Sequence, residues 1–204
     1  MAADSVAAHQ KKAHAQRAHV IFADESGLLM APLVRRTWGL RGQRPTLHQR
    51  GKHREKVSIA GALWWAPWRR PQLGLIFQTL VDAYFNNERS AVFLEVLMRE
   101  IAHPIVVVWD GGNMHKGDPI REAIERFQPR LTLEKLPPYA PMLNPVEPLW
   151  SWLKYSRLCN AAPASASELN RSVLRELQQI SADQDFLRSM WHGSKLPLPR
   201  ALLM

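Results

Sequence analysis

Ile105-Val-Val-Val-Trp109-Asp110 decides how the chain is read. Four β-branched residues and a tryptophan, set off by Pro104 on one side and a carboxylate on the other, predict a short strand buried on both faces, as parallel strands are. Before it, Val92, Phe93, Leu97, Met98 and Ile101 recur at helical spacing and end at His103-Pro104. After it, Asp118 predicts an N-cap with Pro119 at the first helical position, and Ile120, Ala123, Ile124 and Phe127 form the apolar stripe. Leu131 to Lys135 follows as another strand. The N-terminal half reads differently. Val20 to Glu25 is a predicted strand, Ser26-Gly27 a turn, and Leu28 to Leu33 a returning strand, with Val57 to Trp65 and a weaker Leu73 to Leu80 beyond. Antiparallel strands followed by alternating strands and helices define the expected class: α/β, a mixed sheet flanked by helices. Further helices are expected from about Leu149 and from Ser167 to Ile180.

Asp110 is one of three acids placed alike. Asp24 closes the apolar run Val20 to Ala23, and Glu147 lies in Leu136-Pro-Pro-Tyr-Ala-Pro-Met-Leu-Asn-Pro-Val-Glu147-Pro-Leu-Trp150. Alternation along the first strand puts Val20, Phe22 and Asp24 on one face and Ile21, Ala23 and Glu25 on the other, so only one of the two adjacent acids can look into a given site. Each acid alone has an ordinary alternative. Asp24 and Asp110 precede turn residues, and Asn144, Pro145 and Glu147 read as a capping box. Together they are three carboxylates that can converge at a sheet edge, where repulsion is about 4 kcal/mol for a pair 4 Å apart at an effective dielectric near 20. A hard divalent cation, Mg2+ or Mn2+, relieves it. Two such ions about 4 Å apart suit in-line displacement at phosphorus, which points to cutting or joining of nucleic acid.

The bulk composition agrees with one main core. The chain has 204 residues, 46% hydrophobic and 22% charged, and carries a formal charge of +9. No apolar stretch approaches the roughly 20 residues of a membrane helix, and Met1 to Val20 lacks a signal-peptide core. The single cysteine, Cys159, has no disulfide partner, is expected to be buried, and fits a reducing cytoplasm. Excess positive charge favours a polyanionic partner. It concentrates in Arg35, Arg36, Arg41, Arg44, Arg50, Lys52, Arg54 and Lys56, opposed there by Glu55 alone. Such a run can track a phosphate backbone. Trp64, Trp65 and Trp68 read as packing residues. His9, His14 and His19 recur every five residues, follow no helical face, and are expected to be exposed and not to bind metal. Residues 1–18 are expected to form a helical or disordered arm, 19–160 the main domain, and 161–204 C-terminal helices on the same domain, with Ala161 to Ala166 as a hinge.

The chain resembles the catalytic domain of bacterial insertion-sequence transposases of the 630 group, mariner relatives with a DDE triad. The resemblance runs from Val20 to about Trp191. It rests on Phe22-Ala-Asp-Glu-Ser26, Thr37-Trp38 with Arg41-Gly-Gln43 and Pro45, Val107-Val-Trp-Asp110 with Asn113 and His115-Lys116, and Leu136-Pro-Pro-Tyr-Ala-Pro through Leu143-Asn-Pro-Val-Glu147 to Leu149-Trp150. It implies a ribonuclease-H-like fold and strand cleavage followed by transfer of the freed 3′-hydroxyl into target DNA. By position, Asp24, Asp110 and Glu147 would be catalytic metal ligands for Mg2+, with Mn2+ substituting and two ions present when DNA is bound. Asn113, His115 and Asn144 would shape the site, and Arg35, Arg36, Trp38, Arg41, Arg44, Lys52, Arg54 and Lys154 would contact DNA. Expected partners are double-stranded DNA at transposon ends and target, and a second copy or a full-length transposase, but no membrane. The expected location is the bacterial cytoplasm, on the nucleoid when DNA is bound. Family members carry a helix-turn-helix region before this domain, so the chain is not expected to read transposon ends alone. Two further functions fit the same residues: a non-catalytic regulatory derivative that binds DNA, and a ribonuclease-H-like nuclease.

Overall fold

The computed structural model describes residues 13, 15–31, 33–48, 55–67, 72–194 and 196. Five strands form one sheet in the order β3-β2-β1-β4-β5, with β1 His19–Leu29, β2 Lys56–Trp65, β3 Leu73–Val81, β4 Ile105–Trp109 and β5 Leu131–Lys135. β3, β2 and β1 pair antiparallel, and β1, β4 and β5 pair parallel. The mixed sheet anticipated from the sequence is present, and β4 and β5 have the expected bounds.

Alternation of side chains feeds two cores. Ile21, Ala23, Ala62, Ile105 and Val107 pack beneath α1 (Asn87–Glu100) and α2 (Asp118–Phe127). Val20, Phe22, Ile59, Leu63 and Val108 pack on the opposite side against α3 (Glu147–Trp152), α4 (Ala166–Ser181) and α5 (Gln184–Gly193). Trp191 of α5 is fully buried with its ring edge-on to Phe22 at 5.4 Å. The helices start on conventional caps: Asn86, Ser165 and Asp183 each accept the backbone N–H three residues on. Among the described residues, no helix is long and apolar enough to cross a membrane.

Several local expectations are corrected. Ser26-Gly27 is not a turn and Leu28 to Leu33 is not a returning strand; β1 continues to Leu29 because β2 pairs with it along its whole length, from Val20↔Trp65 to Leu29↔Lys56. The partner of β1 is therefore β2, and ladder hydrogen bonds override the local turn preference. Asp118 is the first residue of α2 and not its cap, which is Gly117 at φ +95°. His19 is buried, opening β1 with its ring edge-on to Trp64 at 5.2 Å. Cys159 is half-buried rather than enclosed. His9, His14, Arg50, Lys52, Arg54 and Trp68 lie outside the described residues, as does most of the N-terminal arm. α5 falls among the C-terminal helices expected over 161–204, of which only the first had expected bounds.

Candidate active site

β1 and β4 are parallel neighbours whose backbone pairing ends at Phe22↔Val108. Past that pair the strands separate, and a cleft of about 550 Å³ opens at the C-terminal ends of β4 and β5, beside the middle of β1. Asp24, Asp110, Asn144 and Glu147 line it together with Lys116, Lys135 and the loop Leu136–Pro141.

Asp24 faces this cleft and Glu25 does not, as the alternation required. The Asp24 carboxylate accepts the indole N–H of Trp150 at 2.7 Å. Glu147 opens α3 and Trp150 follows one turn later, so one short helix brings both to Asp24. The helix is tied to β1 a second time by buried Asn144, whose amide donates to the Ala23 carbonyl at 3.1 Å while its oxygen accepts the Val146 N–H. Asn144 is therefore a strand-to-helix tie and not the cap of a capping box: the helix begins at Glu147, capped by Val146. Room for the indole comes from Gly61, which pairs with Asp24 across β1 and β2. A Cβ there would lie 2.7 Å from Cη2 of Trp150. We expect Gly61→Ala to reproduce Trp150→Phe. Each should detach Asp24 from its donor, and urea unfolding should show a loss of about 1 to 3 kcal/mol. A Gly61→Ala protein as stable as the parent would refute the close fit.

Burial pushes the Asp24 carboxyl up to about 7, and the charge of Glu147 pushes it the same way against the Trp150 hydrogen bond. Asp110 lies after β4 with its side chain about half exposed. Its Oδ1 accepts the Gly112 N–H at 2.9 Å and stands 2.7 Å from Nδ1 of His115. His115 is enclosed, stacked on Trp109 at 3.9 Å between ring centres, and its Nε2 lies 3.0 and 3.1 Å from the two oxygens of Glu25. Both ring nitrogens face acceptors, an arrangement that favours a proton on each. Burial opposes that charge, but the hydrogen bond and charge of Glu25, and then the charge of Asp110, outweigh it and raise the imidazole pKa.

The other anticipated residues are dispersed. Asn113 opens a short turn with His115 and is exposed, outside the cleft lining. Arg35, Arg36, Trp38, Arg41 and Arg44 lie on an exposed arm, residues 33–48, between β1 and β2. Asn160 holds the base of the arm by exchanging hydrogen bonds with Arg35, whose guanidinium covers the Tyr155 ring at 4.7 Å. Trp38 is 99% exposed. Lys154 lines a second cavity beside Leu28 to Ala31, away from the acids. Sequence reasoning passed over Glu25 as a partner of His115, Trp150 as the donor to Asp24, and Lys116 and Lys135 as cations in the cleft. Lys135 was legible as the residue ending β5; the other contacts join residues far apart in the chain.

The donor set suits a hard divalent cation: three carboxylates open on one cleft, and Asp24 carries a charge penalty that a cation would relieve. Among the described residues no three His, Cys, Asp or Glu side chains already stand in metal-holding geometry.

Residues 19–170 match the profile of the DDE superfamily endonucleases, and the chain belongs to this family. Its sheet and helices form a ribonuclease-H-like fold, that of a DDE transposase catalytic domain. A curated relative, the "Insertion element IS630 uncharacterized 39 kDa protein" of Shigella sonnei, is 26% identical over 167 residues, covering 79% of this chain and 45% of that protein. The chain thus spans less than half of that relative. Among solved structures, the Mos1 transposase paired-end complex with left transposon end superposes with a TM-score of 0.61 at 19% identity, covering 99% of this chain and 59% of that one. The Mos1 mariner paired end complex with Mg gives 0.63 at 17% identity, with 99% and 58% coverage. The catalytic domain of Mos1 mariner transposase gives 0.55 at 16% identity, with 99% and 87% coverage.

Proposed function

We propose that the chain is a transposase catalytic domain that cuts DNA and joins the freed 3′-hydroxyl to target DNA by metal-dependent, in-line phosphoryl transfer. The observation that carries this reading is the convergence of Asp24, Asp110 and Glu147 on one cleft in a DDE-family fold. These three residues would hold Mg2+, with Mn2+ able to substitute and two ions expected with DNA. Bound there, the ions supply activation of the attacking oxygen and stabilisation of the leaving oxygen. The side chains of the protein do the rest. Lys116 and Lys135 draw the scissile phosphate into the cleft. Tyr139, 98% exposed at the rim with its backbone at φ +56°, offers a ring face to an unpaired base. Pro137, Pro138 and Pro141 stiffen the wall that carries it. Asn144 and Trp150 hold Glu147 and Asp24 at a fixed separation. Arg35, Arg36, Arg41 and Arg44 would follow the duplex backbone outside the cleft. Two copies, or one copy with a full-length transposase, would each serve one DNA end, in a bacterial cytoplasm.

One observation favours a second reading, DNA binding without cleavage: among the described residues the three acids do not stand close enough together to form a ready metal-holding group. A plasmid-nicking assay in Mg2+ or Mn2+, run beside a binding titration, separates the two. We expect nicks ending in 3′-hydroxyls. Replacing Arg41 and Arg44 with alanine should reduce the salt slope of binding by about 0.9 per lost phosphate contact. Tight binding without nicks in either ion would establish the second reading.

A further inference from the structure

We propose that Glu25 is a positioning residue for Asp110: by holding His115 from behind, it keeps the Nδ1–H on the Asp110 carboxylate and so sets the direction in which that carboxylate meets the cleft. The inference rests on the reading of the cleft given above and deepens it. Glu25 lies on the face of β1 turned away from Asp24, so it cannot serve the cleft directly. Its two oxygens instead bracket Nε2 of His115, and the side-chain exposures of 3% for His115 and 12% for Glu25 show that water does not compete. The Trp109 indole packs flat on the imidazole and leaves it one plane to occupy. In that plane Nδ1 reaches Oδ1 of Asp110 at 2.7 Å and its backbone oxygen at 3.2 Å.

The position of the bridge explains its use. Backbone pairing between β1 and β4 stops at Phe22↔Val108, before either Asp24 or Asp110 is reached. Glu25–His115–Asp110 is a side-chain tie across that gap. Without it, Asp110 sits half exposed ahead of Gly111-Gly112, where its rotamer has few other restraints. Trp150 performs the matching task for Asp24 from the opposite face. Partners of this kind, which orient a metal-binding group without touching the metal, are typically worth 10- to 100-fold in affinity or rate.

The test uses Glu25→Met, which keeps volume and removes the acceptor, and Glu25→Gln. A glutamine amide can meet Nε2 as acceptor or as donor, so it supports Nδ1–H on Asp110 whichever charge the ring carries. The primary readout needs neither metal nor DNA: the side-chain carboxyl 13C resonance of Asp110 in aspartate-labelled protein, identified with Asp110→Asn. Glu25→Met should move this resonance, weaken Mn2+ binding and slow nicking by about 10- to 100-fold, with DNA affinity unchanged. Glu25→Gln should leave the resonance in place and recover most of the rate. An unmoved resonance in Glu25→Met, or a Gln variant as altered as the Met variant, overturns the proposal. If Glu25→Met does not fold, Glu25→Gln decides alone, because a displaced Asp110 signal there contradicts the mechanism. A parent chain that neither binds Mn2+ nor nicks DNA would sink the reading of the cleft, while the Asp110 resonance would still report on Glu25.

Discussion

Asp110→Ala is expected to reduce metal-dependent nicking by about 1,000-fold or more, because losing a metal ligand forfeits several kcal/mol of charge stabilisation at the phosphorus. Its unfolding midpoint should hardly change. The side chain is about half exposed, and His115 keeps both Glu25 and the backbone oxygen of residue 110 after truncation. DNA binding should persist, since the basic arm and the cleft lysines are untouched. Glu147→Ala should behave similarly, because Asn144 and Trp150 still dock its segment on β1. Cleavage by Asp110→Ala within ten-fold of the parent would remove this residue from the proposed triad. Retention of both nicking and Mn2+ binding would remove the triad itself.

Asp24→Asn should stabilise the metal-free protein while abolishing cleavage. A carboxyl moved from 3.8 to about 7 by burial and by Glu147 carries about 4 kcal/mol of penalty on its charged form. The folded protein binds this proton more tightly than the unfolded chain. The contribution of Asp24 to stability is therefore full below pH 4, declines as pH rises, and is lost above about 7. Asparagine has no charge to bury and still offers an oxygen to the Trp150 N–H. Its stability should show none of this decline, and the gap between variant and parent should be widest near pH 8. Saturating Mg2+ at that pH should narrow the gap by stabilising the parent alone. Parallel pH–stability curves for the two proteins would show that Asp24 is not strained by its surroundings.

The sequence was most legible where local chemistry and tertiary pairing agree. β4 matched its expected bounds because a β-branched run set between Pro104 and Asp110 has few other uses, and β5 because Leu131 and Leu133 alternate with polar residues up to Pro137. Alternation alone put Asp24 and Glu25 on opposite faces of β1, and Asp24 is the one that lines the cleft. Ser26-Gly27 misled because turn preference is a property of a few residues, whereas the ladder to β2 that carries β1 through them closes over a distant segment. Asn144 misled in the same way: its oxygen accepts the nearby Val146 N–H without capping the helix, and its amide donates to Ala23, 121 positions away. The supporting shell of the cleft was the least legible part. Glu25 and His115 are 90 positions apart, and Asp24 and Trp150 are 126 apart, so neither pairing leaves any periodic trace in the sequence.

The order in which the three acids occur along the chain bears on its synthesis. The N-terminal part supplies Asp24 in β1, but the neighbour that brings Asp110 is made much later, and Glu147 arrives last on a helix docked by its own Asn144 and Trp150. A ribosome that has released only the first 140 residues therefore displays two acids on an incomplete wall. On the proposed reading, a product terminated before Glu147 lacks one of the three carboxylates and is expected not to cut DNA, so synthesis of α3 would complete the cleft.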